Sequence, residues 1–581
     1  MTDVKQLITE HLDIWLTAET EKKSGRGRSS GSSDTIYGVQ KLRELILELA
    51  FLGKLVPNSK DLCNFKEKII NEQKELIKDE VLKKTTNIDV LENSEFSYSL
   101  PCTWSLLRLA DVGYNLGQKT PDSKFSYIDV SAINSIFGRV ENPTILNADE
   151  APSRARKRVK LGTVIYSTIR PYLNNIAVID KNFDYEPIAS TAFAVIHPYK
   201  VINSHYLFYY LRSPLFVEYV ESQQIGIAYP AINDKQFFSG LLPVPPLEEQ
   251  QRIVEKVDEL MQLCDQLEQQ QTLSSEAHAI LVDTLLKALT ESSDADEFQE
   301  NWQRVVANFD VLFTTEYSIE QLKQTVLQLA VMGKLVKQDP SDEPASELLK
   351  KCKEAKQKML DSKLIRKSKN EKNIADEDML FPISNTWKWI RMHEISYKVT
   401  DGTHHTPKYM EQGIPFLSVK DMSSGNLNFS DTRFISEDEH SELFKRCNPE
   451  KGDLLITKVG TTGIPIVVNT DRPFSLFVSV ALIKGFWEYI NVDFLSLQVA
   501  SPFVVKQSKD GTEGIGNKNL VLKKIENFLL VLPPLNEQKR IVEKVNQLFS
   551  IIEQFQVLQS KLQKTKLHLA DALVANAVEG V

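Results

Sequence analysis

The sequence predicts an α+β protein made twice over, with two α+β globular domains held between long helices in a tandem, pseudo-two-fold duplication. Three observations predict it. Residues 37–56 (YGVQKLRELILELAFLGKLV) recur as 317–336 (YSIEQLKQTVLQLAVMGKLV), identical at nine of twenty positions with an offset of 280. Residues 245–260 (PPLEEQQRIVEKVDEL) recur as 533–548 (PPLNEQKRIVEKVNQL), identical at twelve of sixteen with an offset of 288. Between these markers lie two regions of about 145 to 155 residues in which short apolar, β-branched runs alternate with Gly, Asn and Pro. A period this long is no solenoid repeat, so it implies two copies of a whole module.

Taken in order, residues 1–20 carry Leu7, Ile8, Leu12, Trp15 and Leu16 at spacings of three and four, which predicts a short amphipathic helix. Residues 22–33 (KKSGRGRSSGSS) have nothing to pack and predict a flexible basic linker. In the first repeat helix Leu42, Leu45, Ile46, Leu49 and Leu52 share one face, Gly53 is the C-terminal stop, and Pro57 lies beyond. In the second copy Ser318 with Gln321 predicts a capping box, and Gly333 is the matching stop. A Lys- and Glu-rich helix follows each stop, over 66–84 and 346–367.

The inserted regions open on paired signatures, Leu100-Pro101-Cys102-Thr103-Trp104 with Arg108, and Phe381-Pro382 through Trp387 with Arg391. Strands are predicted at 164–167, 176–179 and 192–196, and at 454–457, 464–468 and 478–483. Each insert closes on Pro-Pro, where a long helix starts. Ile253, Val257, Leu260, Cys264 and Leu267 step by 4, 3, 4, 3, and so do Ile541, Val545, Leu548, Ile552 and Phe555. That is the spacing of a coiled-coil seam. The next step falls on Gln271 and Gln559, a polar residue that fixes register in a seam or an exposed turn, and each helix is expected to run about 35 residues, roughly 50 Å. The helix from Leu247 with the repeat helix ending at Gly333, and the helix from Leu535 with the repeat helix ending at Gly53, are the same pair cut open by the termini. The two pairs are expected to associate into one antiparallel coiled-coil spacer of circularly permuted symmetry with Ile253, Val257, Leu260, Ile541, Val545 and Leu548 buried in it. The domain boundaries that follow are 1–100, 101–245, 246–380, 381–533 and 534–581.

The chain has 581 residues and a formal net charge of −9, which argues against nucleic acid until its distribution is considered. Residues 101–245 hold 14 Lys+Arg against 12 Asp+Glu, and residues 381–533 hold 17 of each, so the inserts carry +2 and 0 and the rest −11. The acid belongs to the predicted helices. No apolar run approaches membrane-spanning length and the N-terminus lacks a signal-peptide pattern, so the sequence reads as cytoplasmic. Five scattered cysteines without a CxxC pair argue against a disulfide framework or a cysteine zinc site.

The repeated ELAFLGKLV/QLAVMGKLV and PPLxEQ-RIVEKV elements, the paired Pro…Trp signatures and the two unlike inserts resemble the specificity subunit of type I restriction–modification enzymes. The resemblance covers essentially the whole chain, and the long stretch before the first insert is similar to the subgroup with an extended N-terminal region. Where the second insert has Lys451-Gly452-Asp453, the first departs with Leu161-Gly162-Thr163. The resemblance implies that the inserts are target recognition domains for double-stranded DNA. It implies that the helices are spacers binding two methyltransferase subunits, and that restriction subunits join in the full complex. It also implies that the chain is not itself an enzyme, with S-adenosylmethionine, ATP and Mg bound by the partners. The geometry agrees: two similar modules read half-sites on successive turns of DNA, and unlike inserts imply an asymmetric bipartite target. The alternative is a two-headed DNA-binding scaffold of another defence system, without methyltransferase partners.

No catalytic motif is present. Gly53-Lys54-Leu55 and Gly333-Lys334-Leu335 lack the preceding Gly and the hydroxyl residue of a phosphate loop, and His404-His405 has no third metal ligand by spacing. The candidates are DNA contacts. Arg154, Arg156, Lys157, Arg158 and Lys160 form the densest basic cluster, followed by Arg170 and Tyr172 at a strand end. Arg170 is the preferred base reader, because arginine is the commonest partner of guanine O6 and N7. Tyr127 and Tyr229 fit a core better. In the second insert the polar run 400–408 supplies Thr400, His404, His405 and Lys408, with Lys420, Lys458, Thr461 and Asn517 elsewhere.

Overall fold

A computed structural model describes residues 4–18, 36–60, 63–223, 230–365, 372–513 and 519–579. The linker expected at 22–33, Tyr229 and Asn517 lie outside them. The chain forms two compact units, Met1–Ser274 with Lys561–Val581, and Ser275–Ser560. Each holds one insert, one repeat helix and a part of both long helices.

In the first unit the repeat helix is Tyr37–Phe51, and Leu42, Leu45, Ile46 and Leu49 on its inner face are wholly buried. It stops at Gly53, whose φ of +69° is the left-handed region, and a Cβ there would sit 2.4 Å from Cγ of Pro101. In the second unit the helix is Glu316–Val331. Its N-cap is Thr315, one turn earlier than the predicted box of Ser318 with Gln321. The Thr315 hydroxyl accepts from Ser318 N at 3.1 Å, and the Ser318 hydroxyl donates back to Thr315 O at 2.9 Å. The N-terminal segment is two helices, Val4–Glu10 and Leu12–Thr17, broken at His11, with Ile8 and Trp15 buried.

The long helices are Leu247–Glu291 and Leu535–Glu579, 45 residues each, or about 68 Å. They exceed the expected 35, and Gln271 and Gln559 sit half-buried within them. The apolar stepping resumes beyond Gln271 in the buried Val282, Leu286 and Leu289. Ile253, Val257 and Leu260 are buried in the first unit, and Ile541 and Val545 in the second. Leu548 departs from the expectation, lying half-buried at the core's edge. These side chains are not confined to a two-helix seam. They share a core with the repeat helix of their own unit, and Arg43 ties that helix to Asp265 and Glu268 at 2.8 and 2.7 Å.

Each unit also takes in the tail of the other long helix, at matching positions. Tyr37 donates to Asp571 at 2.7 Å, and Tyr317 to Asp283 at 2.7 Å. Lys54 reaches the carbonyl of Val578 at 2.6 Å, and Lys334 that of Thr290 at 3.0 Å. Offsets of 280 and 288 relate both pairs, so the duplication is circularly permuted at the level of contacts.

The first and last strands of each insert pair antiparallel: Ser105–Arg108 with Leu241–Val244, and Lys388–Arg391 with Leu529–Leu532. The buried tryptophan beside each neck donates to a glutamate on the following helix, Trp104 to Glu249 at 2.9 Å and Trp387 to Glu537 at 3.0 Å. This is what the paired Pro…Trp and Pro-Pro-Leu signatures encode. Within the first insert the strand order Gly113–Tyr114, Phe193–Pro198, Val164–Ser167, Ile176–Val178 continues through Arg139–Val140 to Ile133–Asn134. The second repeats the first four as Ser396–Asp401, Val480–Gly485, Leu454–Thr457, Pro465–Val467. Each has a second small sheet containing a parallel pair, Phe125–Ile128 with Glu186–Ser190, and Ile414–Leu417 with Ser475–Leu476. The helices Ser204–Arg212, Pro214–Gln223 and Asp234–Phe238 recur as Val492–Ala500, Pro502–Asp510 and Leu522–Glu526, their first residues at a constant offset of 288. Two inserts unlike in sequence therefore share a common core topology, to which the first adds strands.

Candidate nucleic-acid interface

The shared topology pairs one loop with another. In the first insert the loop after Val164–Ser167 runs through Thr168, Arg170 and Tyr172, and in the second the loop after Leu454–Thr457 runs through Lys458, Gly460 and Thr461. Their anchors match. Thr168 N donates to Ala192 O and Lys458 N to Ser479 O, while Thr168 O accepts from Ile232 N and Lys458 O from Leu520 N. Ile169 bridges Ala231 as Val459 bridges Asn519. Both loops turn through the left-handed region twice. The second uses glycine each time, Gly460 at φ +78° and Gly463 at +85°; the first uses Arg170 at +49° and Asn174 at +51°. A non-glycine residue rarely holds that conformation, and such strain gathers at functional positions. Arg170 and Tyr172 are exposed at this tip, Tyr172 by 55%.

The basic cluster of the first insert separates when placed on its strand, Ala155–Arg158, which is the edge of a four-stranded sheet. Arg154, Arg158 and Lys160 are exposed and Arg156 is half-buried. Lys160 donates to the Tyr114 hydroxyl at 2.7 Å. Lys157 points inward, where its ammonium meets Phe193 O at 2.6 Å and Asp234 at 3.2 Å. That corrects its reading as a DNA contact: strand alternation turns every second residue of the run into the protein. Tyr127 is core.

In the second insert the run 400–408 is less open than its polarity predicts. Thr400 is half-buried on its strand, and Asp401 and Thr403 are buried, while His404, His405 and Lys408 are exposed. Asp401 is the centre of the arrangement. Its Oδ2 accepts from Lys458 Nζ at 2.6 Å, and its Oδ1 from Arg446 Nη2 at 2.6 Å and His404 Nε2 at 3.1 Å. Lys458, 3% exposed, is therefore a buried ion pair and not a DNA contact, a second correction. A charged residue is taken out of water when a partner of opposite sign waits inside, which spacing along the chain does not reveal. His405 Nδ1 lies 2.8 Å from the Thr403 hydroxyl and its Nε2 3.7 Å from Glu439. Lys420 is exposed but donates to Asp431 O at 2.7 Å, and Thr461 is exposed at its loop tip. The sequence reading missed Arg446. It ends the helix Glu437–Arg446, where a basic residue in the last turn reads as a partner of the helix dipole.

Residues 101–275 and 385–563 each match the family model of the type I restriction modification DNA specificity domain. The chain is similar to the specificity subunit of the type I restriction enzyme EcoAI of Escherichia coli, 34% identical over 99% of this chain and 100% of that one. It is similar to the EcoEI specificity subunit of the same organism, 32% identical over 99% and 100%. The crystal structure of an HsdS subunit from Thermoanaerobacter tengcongensis aligns with a TM-score of 0.41 and 23% identity, over 84% of this chain and 99% of that one.

Proposed function

The chain belongs to the type I restriction–modification specificity-subunit family, and on that premise we propose that each insert reads one half of an asymmetric bipartite target in double-stranded DNA. The observation that carries this is the pair of equivalent loops. Loops on matching anchors present Arg170-Pro171-Tyr172 in the first insert and Gly460-Thr461-Thr462 in the second. Matching anchors place the two tips at corresponding points of the inserts, and unequal side chains meet different base edges. The helices outside the inserts dock two methyltransferase subunits, and restriction subunits complete the complex. The chain contributes recognition and not catalysis, so S-adenosylmethionine, ATP and Mg belong to the partners, and the complex works in the cytoplasm. No helix among the described residues is long and apolar enough to cross a membrane. A two-headed scaffold without methyltransferase partners finds no support in relatives that match over full length.

Methylation mapping in a reconstituted complex tests the reading. Arg170→Ala relaxes one half-site by roughly 5- to 150-fold, the value of one good bidentate base contact, and leaves the other unchanged. Lys408→Ala acts on the other half alone. Equal weakening on all sequences would make both residues phosphate contacts.

A further inference from the structure

Arg446 is held in an unusual way for an exposed arginine. Its side chain is 55% exposed, yet Nη2 is fixed at 2.6 Å on a carboxylate that is itself 3% exposed. Asp401 does this for three segments at once: the loop that starts at its own strand end, the C-terminus of Glu437–Arg446, and Lys458 at the root of the 458–463 loop. His404 Nε2 faces the same carboxylate oxygen at 3.1 Å, beside the arginine. Both contacts of the guanidinium fall on Nη2, to Asp401 at 2.6 Å and beside His404 Nε2 at 3.4 Å, and among the described residues Nε and Nη1 have no acceptor. One edge of the guanidinium is thus committed and the rest is presented, its orientation set before any ligand arrives.

Beside it Asp401, Thr403, His405, Leu443 and Leu476 help to line a recess of about 230 Å³. That is below the roughly 300–1,000 Å³ of small-molecule sites, so it suits an edge or a group better than a whole ligand. The nearby charge separates the two nucleic-acid groups an arginine takes. Glu442 lines the same recess, and Glu439 lies 3.7 Å from His405. These carboxylates repel a phosphate but accept from the amino groups of cytosine and adenine in the major groove.

We propose that Arg446 reads a guanine in the half-site of the second insert and that Asp401 is the positioning residue that aims it. This rests on the reading of the insert as a half-site reader and adds the residues that carry it. In the assembled complex, binding to a library randomised over both half-sites separates the outcomes. Arg446→Ala removes the preference for guanine at one position of one half-site, by roughly 5- to 150-fold. Arg446→Lys does not restore it, because an ammonium lacks the planar fork. Asp401→Asn with Lys458→Met, which removes the buried pair as a pair, relaxes the same position, and any other change it makes stays within that half-site. The first half-site, read in the same experiment, stays at its wild-type preference in all three. Uniform weakening on every sequence with a shallower salt dependence, rescued by lysine, would make Arg446 a phosphate contact and overturn the proposal. An unchanged profile would overturn it too. A wild-type complex without a bipartite preference would sink the reading beneath it instead.

Discussion

Position by position, the two inserts exchange residues in pairs. His197 and Lys484 occupy the same place on equivalent strands, next to Ile196 and Ile483, which pair with Val164 and Leu454. Their neighbours differ to match. His197 Nδ1 meets the Thr163 hydroxyl at 2.8 Å, whereas Lys484 meets Asp453 at 2.6 Å and Glu450 at 2.7 Å. The sequence showed half of this, Thr163 in place of Asp453, but its partner lies some thirty residues on and only strand pairing joins them. Burial first, then the nearby Lys160, pushes His197 down to about 4. Its folded value lies below its ordinary 6.5, so the unfolded chain takes the proton first as pH falls. The stability that neutral His197 contributes is present above about pH 6.5 and is lost toward pH 4, up to about 3 kcal/mol. Urea titrations at pH 7 and 4.5, followed by hydrogen exchange of Phe193–Pro198, should show this loss. Thr163→Asp with His197→Lys should remove it, and a wild-type insert equally stable at both pH values would refute the account. Lys157 and Lys458 make the same point about legibility. A basic run looks alike in sequence whether its ammoniums face water or, as here, Asp234 and Asp401.

Among the elements, those governed by local rules were legible and those built by distant pairing were not. The heptad stepping located both long helices, and the Gly53 and Gly333 stops fell where the chain turns. The cap of the second repeat helix was misplaced because Thr315 and Ser318 both carry a hydroxyl that can accept from a helix start, and only geometry separates them. The six strands read from the sequence fell within a few residues of observed ones, but others were missed, as were their order and the likeness of the two inserts. Strands such as Phe125–Ile128 and Glu186–Ser190 meet across sixty residues with no signal in either. The stops make an element-level test. Gly53→Ala forces a left-handed φ on alanine and drives its Cβ to 2.4 Å from Pro101, whereas the same change at Gly333 meets Trp387 at 3.1 Å. Both should destabilise, by about 1 kcal/mol for the backbone alone. Gly53→Ala should cost the more because a proline ring cannot move aside. Thermal unfolding of the two variants measures the order, and equal losses would show that the Pro101 contact relaxes freely.

For the whole molecule the controlling fact is that neither unit is closed along the chain. The helix Leu247–Glu291 begins in the first unit and ends in the second, and Leu535–Glu579 does the reverse. The hand-over falls at Ser274 and Ser560, just past Gln271 and Gln559, the positions where the apolar stepping lapses. A core that stops on a glutamine and resumes with Val282 leaves a length of helix that no insert depends on. If these helices set the gap between half-sites, their length there is the adjustable quantity. Four residues are about one turn, which returns the downstream apolar face to within about 40° of its former direction and adds about 6 Å. With B-DNA rising about 3.4 Å per base pair, four residues inserted after Gln271 should lengthen the preferred gap by one to two base pairs. Because Leu535–Glu579 links the units as well, a matched insertion after Gln559 should give the same gap with the higher activity. Two residues in place of four would turn the face by about 200° and should abolish assembly. Methylation-site mapping of the variants in the reconstituted complex reads the gap directly. Both half-site sequences should be unaltered, since no recognition loop is touched. An unchanged gap with full activity would show that the spacing is set elsewhere than in these helices.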